Sequence, residues 1–245
     1  MSEPQRISEI LTSPLRAKTL IASKYRREKC PICGIVRKEA ISLYVECSVC
    51  HRKAVVAGMG TEDQQAWIEE VVRPRYKDAR SEHISAALWK KLISASADGA
   101  YLWGQTGVGK TYALAALARH FILDGYDVKR ISFEKLCLLI RDTFRSDSQR
   151  STWSVIAPYI ECDRLILEDV SVAVAVGKQE SDFSLRTLLV LLDERSEEFK
   201  ATFITGNKPP TELSNAFDER ITSRLKQGVI IRVTGKDRRG QTDLQ

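Results

Sequence analysis

From about residue 100 onward the chain alternates short apolar runs with stretches of helical period. Ala100-Tyr101-Leu102-Trp103 reads as a buried strand, and Lys110 to Leu123 reads as an Ala/Leu-rich helix. The alternation continues with a strand at Asp127 to Ser132 and a helix at Phe133 to Phe144 whose apolar positions are Leu136, Leu139 and Ile140. A helix from Trp153 to Cys162, bent at Pro158, leads into an apolar strand, Arg164 to Val170, that ends in two acids. Gly177 to Ser181 reads as a loop and Phe183 to Phe199 as a long helix. Ala201 to Thr205 is a strand, Leu213 to Leu225 holds one or two short helices, and Val229 to Val233 is a final strand. Strand and helix in alternation predict an α/β fold, a parallel sheet with helices on both faces.

The first hundred residues are patterned differently. Ser8 to Leu20 allows a short helix with Ile7, Ile10, Leu11 and Leu15 as its apolar positions, interrupted by Pro14. Thr61 to Val72 predicts a helix capped by Thr61, with Glu62 and Asp63 in its first turn and Pro74 at its end. A second helix, Ile84 to Ala97, stops at Asp98-Gly99. We divide the chain into a basic arm with a metal-binding unit (1–55), a helical connector (56–98) and a core (99–245).

Charge sharpens this division. The net charge of +6 lies wholly in residues 1–53, which hold 11 Lys and Arg against 5 Asp and Glu. A basic segment on a neutral body is expected to meet nucleic acid or an acidic protein surface. No run approaches the roughly 18 apolar residues of a membrane span, and the N-terminus shows no apolar signal region. The expected location is the cytoplasm.

The chemistry centres on Gly104, Gln105, Thr106, Gly107, Val108, Gly109, Lys110 and Thr111, which fit the phosphate-loop pattern G-x-x-x-x-G-K-[ST] between a strand and a helix. Its glycines let the backbone approach phosphate oxygens, and its amides and the helix end face the anion. Lys110 is expected to reach the β/γ-phosphates of ATP, and Thr111 to ligate Mg²⁺. Glu168 and Asp169, at a strand end, are assigned to the metal and to the attacking water respectively. Asn207, past the next strand, is either a turn residue or a hydrogen-bonding partner of the γ-phosphate or water. Arg220 and Arg224 share a helix face, either as surface charges or as a guanidinium offered to a neighbouring subunit's site. Near the N-terminus, Cys30 and Cys33, then Cys47 and Cys50, form two C-x-x-C pairs 13 residues apart. Each pair reads as a knuckle, and the set as a structural Zn²⁺ ribbon with a strand-like Ala40 to Val45 between. Disulfides and redox chemistry are the disfavoured alternatives.

The phosphate loop, Leu165-Ile166-Leu167-Glu168-Asp169, Thr205-Gly206-Asn207 and Glu219-Arg220-x-x-x-Arg224-Leu225, in that order, resemble the AAA+ helicase loaders of the DnaC/DnaI type. They are similar also to the IstB-type transposition ATPases. Arg75-Tyr76-Lys77-Asp78-Ala79 looks like that family's nucleotide-side turn, Asp142 to Arg145 and Arg232 to Lys236 look like further loader segments, and the likeness spans about residues 70–236. The resemblance implies ATP binding, head-to-tail homo-oligomers with Arg224 acting in trans, and delivery of a ring helicase onto single-stranded DNA. It implies DNA contact near Ser181 and Phe183, with Phe144 a further candidate, although Phe183 reads equally well as core. It assigns residues 1–55 to the helicase. Two departures stand out: the acid pair runs Glu then Asp, and the zinc unit is not general among loaders. The rival functions are a transposase-partnered regulator and a DNA-binding zinc module with a non-catalytic nucleotide platform.

Overall fold

The computed structural model describes residues 26–29, 36–39, 48–170, 178–216 and 219–237. The first two segments are β1 (Arg26–Lys29) and β2 (Val36–Glu39), an antiparallel pair in which Arg26 faces Glu39. Helices α1 (Ser48–Gly58), α2 (Thr61–Val71) and α3 (Ala86–Ser94) precede the core. The core then alternates β3 (Ala100–Trp103), α4 (Lys110–Leu123), β4 (Val128–Ser132), α5 (Phe133–Asp142), α6 (Thr152–Glu161), β5 (Arg164–Glu168), α7 (Lys178–Glu197), β6 (Ala201–Gly206), α8 (Pro210–Ala216), α9 (Glu219–Leu225) and β7 (Val229–Arg232).

The five core strands are all parallel, in the order β4-β5-β6-β3-β7. Both faces of the sheet are covered, so its central strands carry apolar runs such as Leu165–Leu167; every residue of β5 is buried, Arg164 and Glu168 included. Side chains alternate between the two faces. Ile166, Leu102 and Phe203 pack with Val56, Trp67, Ile68, Leu92, Leu114 and Leu117 of α1 to α4. Leu165, Leu167, Tyr101 and Ile204 pack with Leu136, Ile140, Ile156, Leu188, Leu191 and Ile221 of α5, α6, α7 and α9. Ser132 caps α5 by accepting from the Lys135 amide (3.4 Å), and Ser151 caps α6 by accepting from Ser154 (3.1 Å).

Three local expectations change. Thr61 is the first helical residue of α2 and not its cap; the cap position is Gly60, which has no side chain to offer. The residues from Lys178 to Ser181 belong to α7 and not to a loop. Cys50 lies in the first turn of α1, so the second cysteine pair leads directly into a helix. The expected helix at Ser8 to Leu20 and the strand at Ala40 to Val45 lie outside the described residues.

Helix α1 is fastened to the core. Arg52 Nε donates to the Gly125 carbonyl (2.7 Å), its Nη2 pairs with Asp163, and Lys53 pairs with Asp124 (2.9 Å). A methyl group on Gly125 would stand 2.3 Å from the Lys53 nitrogen, so only glycine permits this approach.

Candidate nucleotide site

The site is built at the C-terminal ends of the parallel strands, where open α/β sheets hold their ligands. The loop after β3 ends at Gly109, whose φ of +97° is left-handed, and α4 starts at the next residue. Lys110 is buried, and its ammonium donates to the carbonyls of Gly104 (2.7 Å) and Gln105 (2.9 Å) and to Asn207 Oδ1 (2.9 Å). Asn207 arrives because β6 is the direct neighbour of β3. Beneath it, the Tyr101 hydroxyl donates to the Lys208 carbonyl (2.7 Å) and pins the turn. Burial pushes that phenol above its ordinary pKa, so it stays a donor.

Asp169 follows β5 with φ +57°, and its amide donates to Thr205 Oγ1 (3.0 Å). It lines a cavity of about 540 Å³ together with Thr106, Gly107, Gly109, Lys110, Thr111 and Asn207. Arg75, Tyr76 and Tyr112 complete the wall. The Tyr112 hydroxyl sits 2.7 Å from His83 Nδ1 and 3.2 Å from the Asp78 carbonyl, tying the connector turn to α4. A satisfied ammonium, a glycine turn, a hydroxyl, a carboxylate and an amide around one polar cavity fit a metal-bound nucleoside triphosphate.

Glu168 is placed differently. Its side chain is 3% exposed and is clasped by Arg130, whose Nη2 lies 2.8 and 2.7 Å from the two carboxylate oxygens. Arg73 adds a longer contact at 3.6 Å. The two adjacent acids therefore have separate surroundings: Asp169 borders the cavity and Glu168 is engaged by guanidiniums.

Arg224 lies outside this cavity. Its Nε pairs with Asp193 of α7, and it borders a second cavity of about 560 Å³ beside Ser96, Asp98 and Lys200, at the opposite ends of the strands. Arg220 is exposed on α9. Neither guanidinium joins the phosphate loop of its own chain. On the α5/α7 side, Phe144 is 64% exposed and meets Phe183 edge-on at 6.0 Å, while Arg141 lies over the Phe183 ring at 5.0 Å. Phe183 also packs on the core. Ser181 is in α7. Cys30, Cys33 and Cys47 lie outside the described residues; Cys50 is a buried thiol, and among the described residues no cluster of three metal-ligating side chains occurs.

Sequence reasoning missed Arg73, Arg130 and Tyr112. Arg130 sits beside Lys129 in the strand Val128–Ser132, so its residue type there gave no signal.

A family model of the bacterial DnaA ATPase domain matches residues 77–232. The chain belongs to this family. Among curated relatives, the chromosomal replication initiator protein DnaA of Acholeplasma laidlawii is 28% identical over 133 residues, 54% of this chain and 28% of its own length. The replicative helicase loader DnaC of Escherichia coli K12 is 26% identical over 145 residues, 55% of this chain and 57% of its own. The chain thus spans between about a quarter and just over half of these relatives. Among solved structures, the replication initiator DnaA bound to AMPPCP and single-stranded DNA superposes with a TM-score of 0.55 at 17% identity, over 67% of this chain and 51% of that one. DnaI superposes at 0.52 with 20% identity, over 72% and 99%. This chain therefore carries a DnaA-type AAA+ ATPase domain with helicase loaders among its relatives. No helix among the described residues is long and apolar enough to cross a membrane.

Proposed function

We propose that this DnaA-family chain is an ATP-dependent helicase loader in DNA replication, working in the cytoplasm on a ring helicase and single-stranded DNA. What carries the reading is the match to the DnaC loader on a chain whose Lys110, Thr111, Asp169 and Asn207 line one cavity. In this reading Lys110 grips the β/γ-phosphates, Thr111 serves Mg²⁺ and is joined by Glu168 once Arg130 and Arg73 release it, Asp169 orients the attacking water and Asn207 holds the γ-phosphate or the water. Asp169 is one methylene shorter than a glutamate, so hydrolysis is slow. Arg224, with Arg220 beside it, completes the cavity of the next copy in a head-to-tail assembly. Its remoteness from its own phosphate loop supports a role in trans. The exposed Phe144, braced by Phe183 and flanked by Arg141 and Arg145, supports base stacking, worth about 1–3 kcal/mol per base; Ser181 is grouped with it.

Two measurements test this reading. The full chain, immobilised with ATP and Mg²⁺ in an extract of its source cells, is expected to retain the ring helicase. Retention of a transposase in its place would move the function to the IstB-like alternative. Zinc is the second: Cys30, Cys33, Cys47 and Cys50 are proposed to hold one Zn²⁺ structurally. Emission spectrometry of purified protein is expected to find one zinc per chain, lost when Cys33 and Cys47 are replaced by serine. Purified protein that holds no zinc and still retains the ring helicase would remove the zinc unit from the account.

A further inference from the structure

The clasp on Glu168 separates the two acids of this site. β4 and β5 pair with Ser132 opposite Glu168 and Arg130 opposite Ile166. Arg130 thus stands one diagonal step from Glu168 on the same face of the sheet, within reach of a long side chain. Its side chain is 3% exposed, its Nη2 touches both carboxylate oxygens, and its guanidinium carbon lies 5.8 Å from the centre of the Tyr76 ring; its buried Nε has no hydrogen-bond partner. The second cation, Arg73, immediately precedes the turn Pro74–Tyr76 that supplies Arg75 and Tyr76 to the cavity wall.

Two guanidiniums around one carboxylate leave a local positive charge. A divalent cation is repelled from such a place, and a buried carboxylate whose two oxygens already accept from Arg130 Nη2 has little to offer it. We propose that Arg130, assisted by Arg73, is a positioning residue that holds Glu168 away from the metal and thereby sets how much Mg²⁺ contributes to nucleotide binding. The inference rests on the nucleotide reading above. Thr111 then serves the metal without Glu168, and Asp169, outside the clasp, keeps its place on the cavity for the attacking water, until the connector turn moves and Arg73 and Arg130 release Glu168. The connector is continuous with α2, which gives the N-terminal partner-binding side a direct lever on the acid.

The test compares the affinity of the full chain for a fluorescent ATP analogue in Mg²⁺ and in EDTA. The native chain is expected to bind in both, with Mg²⁺ improving affinity by less than about threefold. Arg130→Gln is expected to match it in EDTA and to gain about tenfold with Mg²⁺, because one cation has been removed beside the carboxylate. Arg130→Lys keeps the charge and is expected to restore the native metal response. Arg73→Gln alters a half-exposed side chain that folding does not depend on; it is expected to gain about threefold and carries the test if Arg130→Gln fails to fold. Equal gains from Mg²⁺ in the native, Arg130→Gln and Arg73→Gln proteins overturn the inference and leave the nucleotide reading standing. Failure of the native chain to bind the analogue overturns both.

Discussion

Lys110→Ala is expected to weaken ATP binding by about 10- to 100-fold, the worth of one charge-assisted contact to phosphate. Turnover should fall further, by about 10²–10³-fold, because the same ammonium meets charge that grows in the transition state. The physical basis is the position of the amine: three oxygens, from Gly104, Gln105 and Asn207, hold it over the phosphate loop. Gln105 and Asn207 are exposed residues and Asn207 lines the cavity, so water reaches these acceptors once the side chain is gone. Unfolding stability should therefore change by less than about 1 kcal/mol. A urea titration run beside the binding assay separates loss of function from loss of fold. Native turnover in the alanine variant would mean that Lys110 does not meet the phosphates.

The phosphate loop was legible because its chemistry depends on backbone conformation and local spacing, both written in consecutive residues. The core strands were legible for a related reason: a sheet covered on both faces demands unbroken apolar runs such as Leu165-Ile166-Leu167. The contact between Asn207 and Lys110 followed from the alternation only once β6 was known to lie against β3. What stayed hidden depends on pairings between residues far apart in the chain. Glu168 looked like an open metal ligand, since nothing local ties it to Arg130 or Arg73. Thr61 looked like a cap because its residue type suits that position, yet the chain enters α2 one residue earlier. Nothing in the pattern of the long helix singles out Arg195 among its charges, yet no part of it reaches the surface.

Arg195→Met is expected to lower unfolding free energy by about 3–5 kcal/mol, among the largest losses a single substitution produces. The guanidinium closes the end of α7 onto two other elements. Nη1 donates to the carbonyls of Tyr159 (2.8 Å), Ile160 (3.0 Å) and Cys162 (2.9 Å), at and just past the end of α6. Nη2 donates to the Ala201 carbonyl (2.6 Å) and Nε to Thr202 Oγ1 (2.8 Å), at the start of β6. Helix-end carbonyls have no partner of their own, so a buried helix end needs such a donor. Burial lowers the pKa of this arginine, with the Cys162 side chain opposing the shift. Methionine fills much of the volume and removes the guanidinium from all of these acceptors; Ile160 keeps Lys200 at 3.3 Å and Tyr159 keeps the weak Cys162 thiol donor at 3.5 Å. Lysine would keep the charge, but its single ammonium cannot span from α6 to β6, so Arg195→Lys should recover only part of the loss. The loss corresponds to a fall in melting temperature of roughly 10 °C for a chain of this size. Arg186→Met, at an exposed position on the same helix, should cost under about 0.5 kcal/mol. Because Arg195 sits at the strand ends remote from the phosphate loop, the folded fraction of Arg195→Met should bind ATP normally. A urea midpoint equal to that of Arg186→Met would mean that these carbonyls find water or other donors, and that the guanidinium is not what joins α6, α7 and β6.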